Sequence, residues 1–231
     1  MIAIIGAMEG EVAALKEAME VEEVIETASL KFFKGVLCGK EAVVVRSGIG
    51  KVNAAMCTQI LADKFLADII INTGIAGSLN AEIEIGDMVI SSDAVQHDMD
   101  VSIASDHPIG QVPGLDTFAF PADEKLVELA KLANEQANPD IRTFVGRIVT
   151  GDQFIACAEK KQQLTEQFEA YCSEMEGAAI AHAAHLNNIS CVIIRAISDK
   201  ADNSATMDFA EFEKLAIAHS IKLVRKLLPM L

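Results

Sequence analysis

Basic residues are scarce in this chain of 231 residues: 19 Lys and Arg stand against 34 Asp and Glu, a net charge of −15. A surface that acidic repels phosphate backbones and anionic headgroups, which argues against a nucleic-acid or membrane partner. Disulfide chemistry is also missing. The five cysteines, at 38, 57, 157, 172 and 191, are scattered and contain no C-x-x-C, so a reducing compartment is expected. No apolar run reaches the ~18 residues that span a bilayer, and no basic region precedes the strand-like Ile2–Ile5. These absences together predict a soluble cytoplasmic protein. The chain shows no repeat, low-complexity segment or long linker, so residues 1–231 are expected to form one domain.

What is present is an alternation of strand and helix patterns. Apolar runs at Ile2–Ile5, Asp68–Asn72, Asp87–Asp93, Arg142–Thr150 and Cys191–Ile194 read as strands, and Lys31–Cys38 with Glu41–Arg46 as a hairpin. Helical periodicity covers 8–19, 52–66, 123–136, 159–167 and 175–187. Asp208 and Glu211 resemble an N-cap and N3 pair opening a final amphipathic helix. Residues 94–121 have no period and hold three prolines and two glycines, which predicts a long functional loop. The fold class is therefore α/β, a central mixed sheet flanked by helices. Four strand ends carry polar or glycine clusters: Gly6–Glu11, Thr73–Ser78, Thr150–Phe154 and Arg195–Asp199. Ligands in open α/β sheets lie beyond the carboxyl ends of strands, so one sheet edge is expected to collect all four.

The chemistry-bearing clusters are mostly acidic. Gly6–Glu11 carries two carboxylates and no cation, which opposes a phosphate over the first strand–helix turn; Glu9 and Glu11 are two apart, so only one can face a cleft. Acids there also suit a helix first turn without further function. Ser47–Lys51 contains two glycines but lacks the phosphate-loop and dinucleotide spacings, and reads better as a turn opening a helix. Glu176, beside Gly177 at another helix start, is suited to accept two hydrogen bonds from a ribose diol. His97, Asp98, Asp100, Asp106 and His107 are metal-ligand types without a zinc or calcium spacing, and a loop tied by Asp hydrogen bonds is the better reading. His182 and His185 have no carboxylate partner in reach. G-x-S-x-G is absent, and no cysteine lies beside a helix-opening cation. Asp199, delivered with Arg195 and Ser198 by the last apolar strand, is the first candidate for acid chemistry.

IAIIGAMEGEV, SGIGKVNAA, IINTGIAGSL, GDQFI, EMEGAAIAH and RAISDKAD occur in this order from Ile2 to Asp202. Together they resemble the 5′-methylthioadenosine/S-adenosylhomocysteine nucleosidases of the purine nucleoside phosphorylase-like superfamily. The resemblance covers nearly the whole chain. It implies hydrolysis of the N-glycosidic bond to adenine, with no cofactor and no metal. It also implies that 5′-methylthioadenosine, S-adenosylhomocysteine or 5′-deoxyadenosine is the small-molecule nucleoside substrate. Glu11 would activate water, and Asp199, helped by Ser198, would protonate N7 of adenine. Glu176 would hold the ribose hydroxyls and Met175 would pack on the sugar. Phe154 would stack on adenine, with Ile155 reading its edge. Arg195, Met8 and Ile49 would line the site and Phe209 would close it. The family resemblance further implies a homodimer in which the 94–121 loop reaches the partner's 5′-thio pocket.

Two departures stand out. Ile75 occupies a position where a small hydroxyl residue is common, and Ser102–Ile109 differs from the commoner aromatic pattern. They leave room for a second substrate, 6-amino-6-deoxyfutalosine. A phosphorylase would need basic residues that are absent, and a non-catalytic nucleoside sensor would not need the full Glu11, Glu176 and Asp199 set.

Overall fold

In a computed structural model that describes residues 1–231, the first strand, β1 (Ile2–Gly6), is buried at every position. It lies between two parallel neighbours, β4 (Lys40–Arg46) and β5 (Ile69–Ser78), and β5 in turn pairs in parallel with β10 (Ser190–Asp199). Near-continuous apolar runs belong in such strands because both faces are covered. The odd residues Ala3 and Ile5 join a core with helices α2 (Lys51–Phe65) and α5 (Gly177–Leu186). The even residues Ile2 and Ile4 join a second core with α1 (Glu9–Glu17), α3 (Glu124–Ala137) and α6 (Ala205–Leu227). The period of two along β1 thus sorts five helices into two layers around one sheet.

The sheet has ten strands and is mixed. Beyond β4 it continues through the antiparallel β3 (Leu30–Leu37) and β2 (Glu20–Thr27). On the other side β6 (Met88–Gln96) runs antiparallel to β10, and β8 (Thr143–Thr150) parallel to β6. The short β9 (Cys172–Glu174) bridges β8 back to the end of β5, so the strands β5, β10, β6, β8 and β9 close into a ring. A small third core, with Val95, Val149, Leu164 and Phe168, lies between this ring and α4 (Ala158–Phe168).

Several boundaries differ from expectation. β2 carries no strand signal, because its acids fall on both faces of an exposed edge and leave no apolar alternation. β5 does not stop at Asn72 but continues through the glycine-rich Thr73–Ser78. β6 extends to Gln96, and β7 (Phe120–Pro121) pairs with it, so both ends of the 94–121 stretch are strand. The last helix starts at Ala205, not at Asp208. Ser204 is its N-cap residue, and the Asp208 carboxylate accepts from the Ser204 hydroxyl at 2.6 Å rather than capping a later start. β8 also runs against β5 and β10, so its end does not join theirs by parallel alignment. Ring closure delivers Thr150 to the same place by pairing it with Glu174.

Candidate active site

A cavity of about 240 Å³ opens where these strand ends meet. Its wall includes Glu11, Glu174, Glu176 and Asp199, and no Lys, Arg or His. The remainder is largely apolar, with Met8, Ile49, Ile75, Phe154, Met175 and Phe209. A recess of about 30 Å³ continues it past Gln153, Phe154 and Ile155 to Asp199. The site thus contains every residue that the family resemblance assigned to it except Arg195, which lies buried behind the wall.

Glu11 is the N3 residue of α1 and reaches back to the backbone N–H of the N-cap residue Met8 at 2.9 Å, one half of a capping box. The same oxygen accepts from Ala7 N–H at 2.7 Å, and Oε1 accepts from Ile75 N–H at 3.2 Å. The cap and the buried acid are therefore one group, while Glu9 points outward to Lys16. Gly74 makes the seat: a Cβ there would stand 2.6 Å from Glu11 Oε1. Burial pushes the Glu11 carboxyl above its usual range, against the opposing pull of Arg195 and the three N–H donors.

Asp199 ends β10. Its Oδ1 accepts from Ala201 N–H at 2.8 Å and its Oδ2 from the Ser198 hydroxyl at 2.9 Å. Gly77 leaves the space, since a Cβ would come within 2.6 Å of Oδ1. Burial raises the Asp199 carboxyl despite these two donors. Lys200 does not counter this, because its ammonium turns away to Glu84 (2.7 Å) and the Ile83 carbonyl (2.8 Å).

Glu176 precedes α5 and uses one acceptor site, taking Gly50 N–H on Oε1 at 2.8 Å. The Ser47–Lys51 turn has its bland role, opening α2 with Gly48 and Gly50 at positive φ, and also supplies this donor. Burial, reinforced by the charge of Glu174, pushes Glu176 up to about 8. A carboxylate offers about four lone-pair sites. Glu176 keeps most of them unused, Asp199 keeps two after its two donors, and Glu11 keeps one after its three.

Sequence reasoning missed Glu174. Its carboxylate pairs with Arg195 Nη2 at 2.5 Å, accepts Glu176 N–H at 3.0 Å and Gly177 N–H at 2.7 Å, and takes the Thr150 hydroxyl. Arg195 also donates to Asn72 Oδ1 at 2.6 Å and to the Ile194 carbonyl at 3.1 Å. One signal was available: an arginine inside an apolar strand run requires a buried acid, and the Glu-x-Glu of EMEG supplies one. The metal-type residues lie elsewhere. His97 is buried beside Gly151, Asp98 binds Lys51 (2.6 Å) and Asp152 N–H (3.0 Å), and His182 stacks on Phe120. No residue from 97 to 119 lines the cavity.

A family model described as the phosphorylase superfamily matches residues 1–229. A 5′-methylthioadenosine/S-adenosylhomocysteine nucleosidase of Geobacillus thermodenitrificans is 45% identical over 227 residues, 98% of this chain and 95% of that one. Among solved structures, the Neisseria meningitidis nucleosidase of that name, in complex with methylthio-immucillin-A, superposes with a TM-score of 0.95 at 40% identity. The match covers 100% of this chain and 99% of that one. The native futalosine hydrolase of Helicobacter pylori superposes with a TM-score of 0.93 at 34% identity, covering 100% and 97%.

Two outcomes follow from the buried carboxylates. Gly74→Ala is expected to lower stability by about 1–3 kcal/mol in urea unfolding, because the methyl must displace the Glu11 carboxylate. For Glu176, a raised folded pKa gives stability that is fully present below the unfolded value, near 4.5, and is lost as pH rises through about 8. Glu176→Gln should therefore raise Tm at pH 9 and change it less at pH 5; an equal effect at both would contradict the assignment.

Proposed function

The chain belongs to the phosphorylase superfamily and, within it, to the 5′-methylthioadenosine/S-adenosylhomocysteine nucleosidases, and we propose how its own residues carry out the family reaction. The protein is a nucleosidase, an N-ribosyl hydrolase acting on a small-molecule nucleoside. In our reading it cleaves methylthioadenosine and adenosylhomocysteine to adenine and the 5′-thioribose, recycling by-products of S-adenosylmethionine chemistry toward methionine. Breaking the C–N bond develops oxocarbenium character at the sugar. Buried carboxylates around that point favour the cation. Glu11, with one acceptor site left, takes a proton from the attacking water, and its raised pKa makes it a stronger base. Asp199, raised by burial, gives its proton to N7 of adenine in the recess between Phe154 and Ile155. Glu176, with most of its acceptor sites unused, takes the ribose diol, and Met8, Ile49, Met175 and Phe209 close around the sugar and 5′ group.

The observation that carries this reading is the cavity wall itself: four carboxylates and no cation. The nearby guanidinium of Arg195 is already engaged by Glu174 and Asn72. A phosphate nucleophile would find acids and no free cation to bind it, which supports water instead. Purified protein is expected to release adenine from methylthioadenosine in phosphate-free buffer. Glu11→Gln and Asp199→Asn should each lower kcat about 10²–10⁴-fold, and unchanged turnover in either would reject its role. The likeness to a futalosine hydrolase supports a second substrate, 6-amino-6-deoxyfutalosine; the ratio of kcat/KM on the two nucleosides decides between them.

We further propose a homodimer in the cytoplasm. The cavity wall exposes Ile49 (54%) and Phe154 (51%), Val52 near Ile49 in sequence is exposed as well, and Ile103, in the loop that leaves its own site uncovered, is fully exposed. Burying such residues favours a second copy whose 94–121 segment completes the 5′ pocket. All five cysteines are free, in keeping with a reducing compartment. No helix is long and apolar enough to cross a membrane. Light scattering should give twice the chain mass, and a monomer with full activity would refute the shared site.

A further inference from the structure

Glu174 lines the cavity, yet its carboxylate is already engaged by the protein itself more heavily than any other acid of the wall. Its Oε2 accepts from the Glu176 and Gly177 N–H groups and from Arg195 Nη2, and its Oε1 accepts from the Thr150 hydroxyl, four donors in all. Its side chain and that of Arg195 are each 2% exposed, so neither charge is relieved by water. The pair thus differs from Glu11, Asp199 and Glu176, none of which bonds a cation directly. It also touches both sides of the site. Through Glu176 N–H and Gly177 N–H, Glu174 fixes the start of α5, and Thr150 completes that start by accepting from Ala178 N–H at 2.7 Å. Through Arg195 it holds the guanidinium close to Glu11: a Cβ on Gly74 would lie 2.6 Å from Glu11 Oε1 and 3.3 Å from Arg195 Nη1.

Resting on the nucleosidase reading, we propose that Glu174 is a positioning residue for the reaction, anchoring Arg195 so that neither Glu11 nor Glu176 is captured by the guanidinium. Without its carboxylate, Arg195 would find its nearest charge partners in those two groups. Both are attracted to it across the same buried space. Glu11 would then be a weaker base and Glu176 a poorer acceptor for the ribose. The charged groups packed around Glu11 are few. Arg195 on β10 attracts it, and Glu176 before α5 repels it. Glu9 on α1 is turned to Lys16 and Arg46, β5 offers backbone, and α6 offers Phe209 to the cavity wall.

Glu174→Gln is the informative change because the amide fits the same donors. Its oxygen can face Arg195 and the two N–H groups, while its NH₂ faces the Thr150 oxygen. Rates of adenine release from methylthioadenosine, measured from pH 5 to 9, should show kcat at least about tenfold lower. The acid limb of kcat/KM should move down by roughly one pH unit, because the guanidinium, no longer neutralised by a carboxylate at 174, stabilises the ionised Glu11 more strongly. Arg195→Gln should move that limb upward, since it removes the attraction instead. Arg195→Gln carries the test alone if Glu174→Gln does not fold. An acid limb that stays at its wild-type position in the folded variants, even with a lowered Tm, would make the pair merely structural and overturn the proposal. Wild-type protein that releases no adenine would overturn the nucleosidase reading, and this proposal with it. An active wild type with unmoved profiles overturns the positioning role alone.

Discussion

One buried guanidinium organises the chemistry of this protein. Arg195 sits within a strand that is buried from Cys191 to Asp199, and its charge is held by Glu174, Glu11 and Glu176 together. A lone positive charge at that depth would be prohibitive, and three lone carboxylates would be worse. Without the guanidinium the acids would have to keep their protons to stay buried. Because the acids outnumber the cation, burial forces protons to be retained, and this is why Glu11 and Glu176 are held above the ordinary carboxylate range. An environment that is short of positive charge before substrate arrives is well matched to a reaction that develops it at a sugar carbon.

The unused acceptors divide the labour among groups of the same type. By composition Glu11, Glu174, Glu176 and Asp199 are nearly interchangeable; by partner count they are not. Three backbone donors leave Glu11 one direction in which to act, a single donor leaves Glu176 open, and four donors, one of them a guanidinium, tie Glu174 into the protein. Local backbone geometry, a helix cap here and a glycine turn there, therefore assigns the roles.

Much of the frame was legible from residue order. Buried strands such as β1 and β10 announce themselves as apolar runs, and α3 is marked by its Asp123 cap, which accepts from Leu126 N–H at 3.0 Å. β2 was not legible, since an acidic edge strand has no buried face to pattern. The start of α6 was misjudged because Asp208 suits two roles and only its contact with Ser204 separates them. Of the site, Glu11, Glu176 and Asp199 could be picked out by type and place, and most of the apolar wall only through the family resemblance. Glu174 could not, because its function is a set of partners drawn from Thr150, Glu176, Gly177 and Arg195, and that set exists only once the ring of strands has closed.

The two glycines of β5 have a consequence for the range of molecules the cavity can take. Gly74 makes room for Glu11 and Gly77 for Asp199, three residues further along one hydrogen-bonded strand, or about 10 Å of it. In the proposed mechanism the strand is thus a ruler laid between the water side and the leaving-base side of the pocket. It cannot be lengthened by a residue without shifting its pairing with β10 and turning its side chains over. The span from attacked carbon to departing base is therefore the invariant dimension of any molecule this scaffold can process. Whatever variety it accepts must hang from the other end of the sugar, where the walls are side chains and loop instead of sheet.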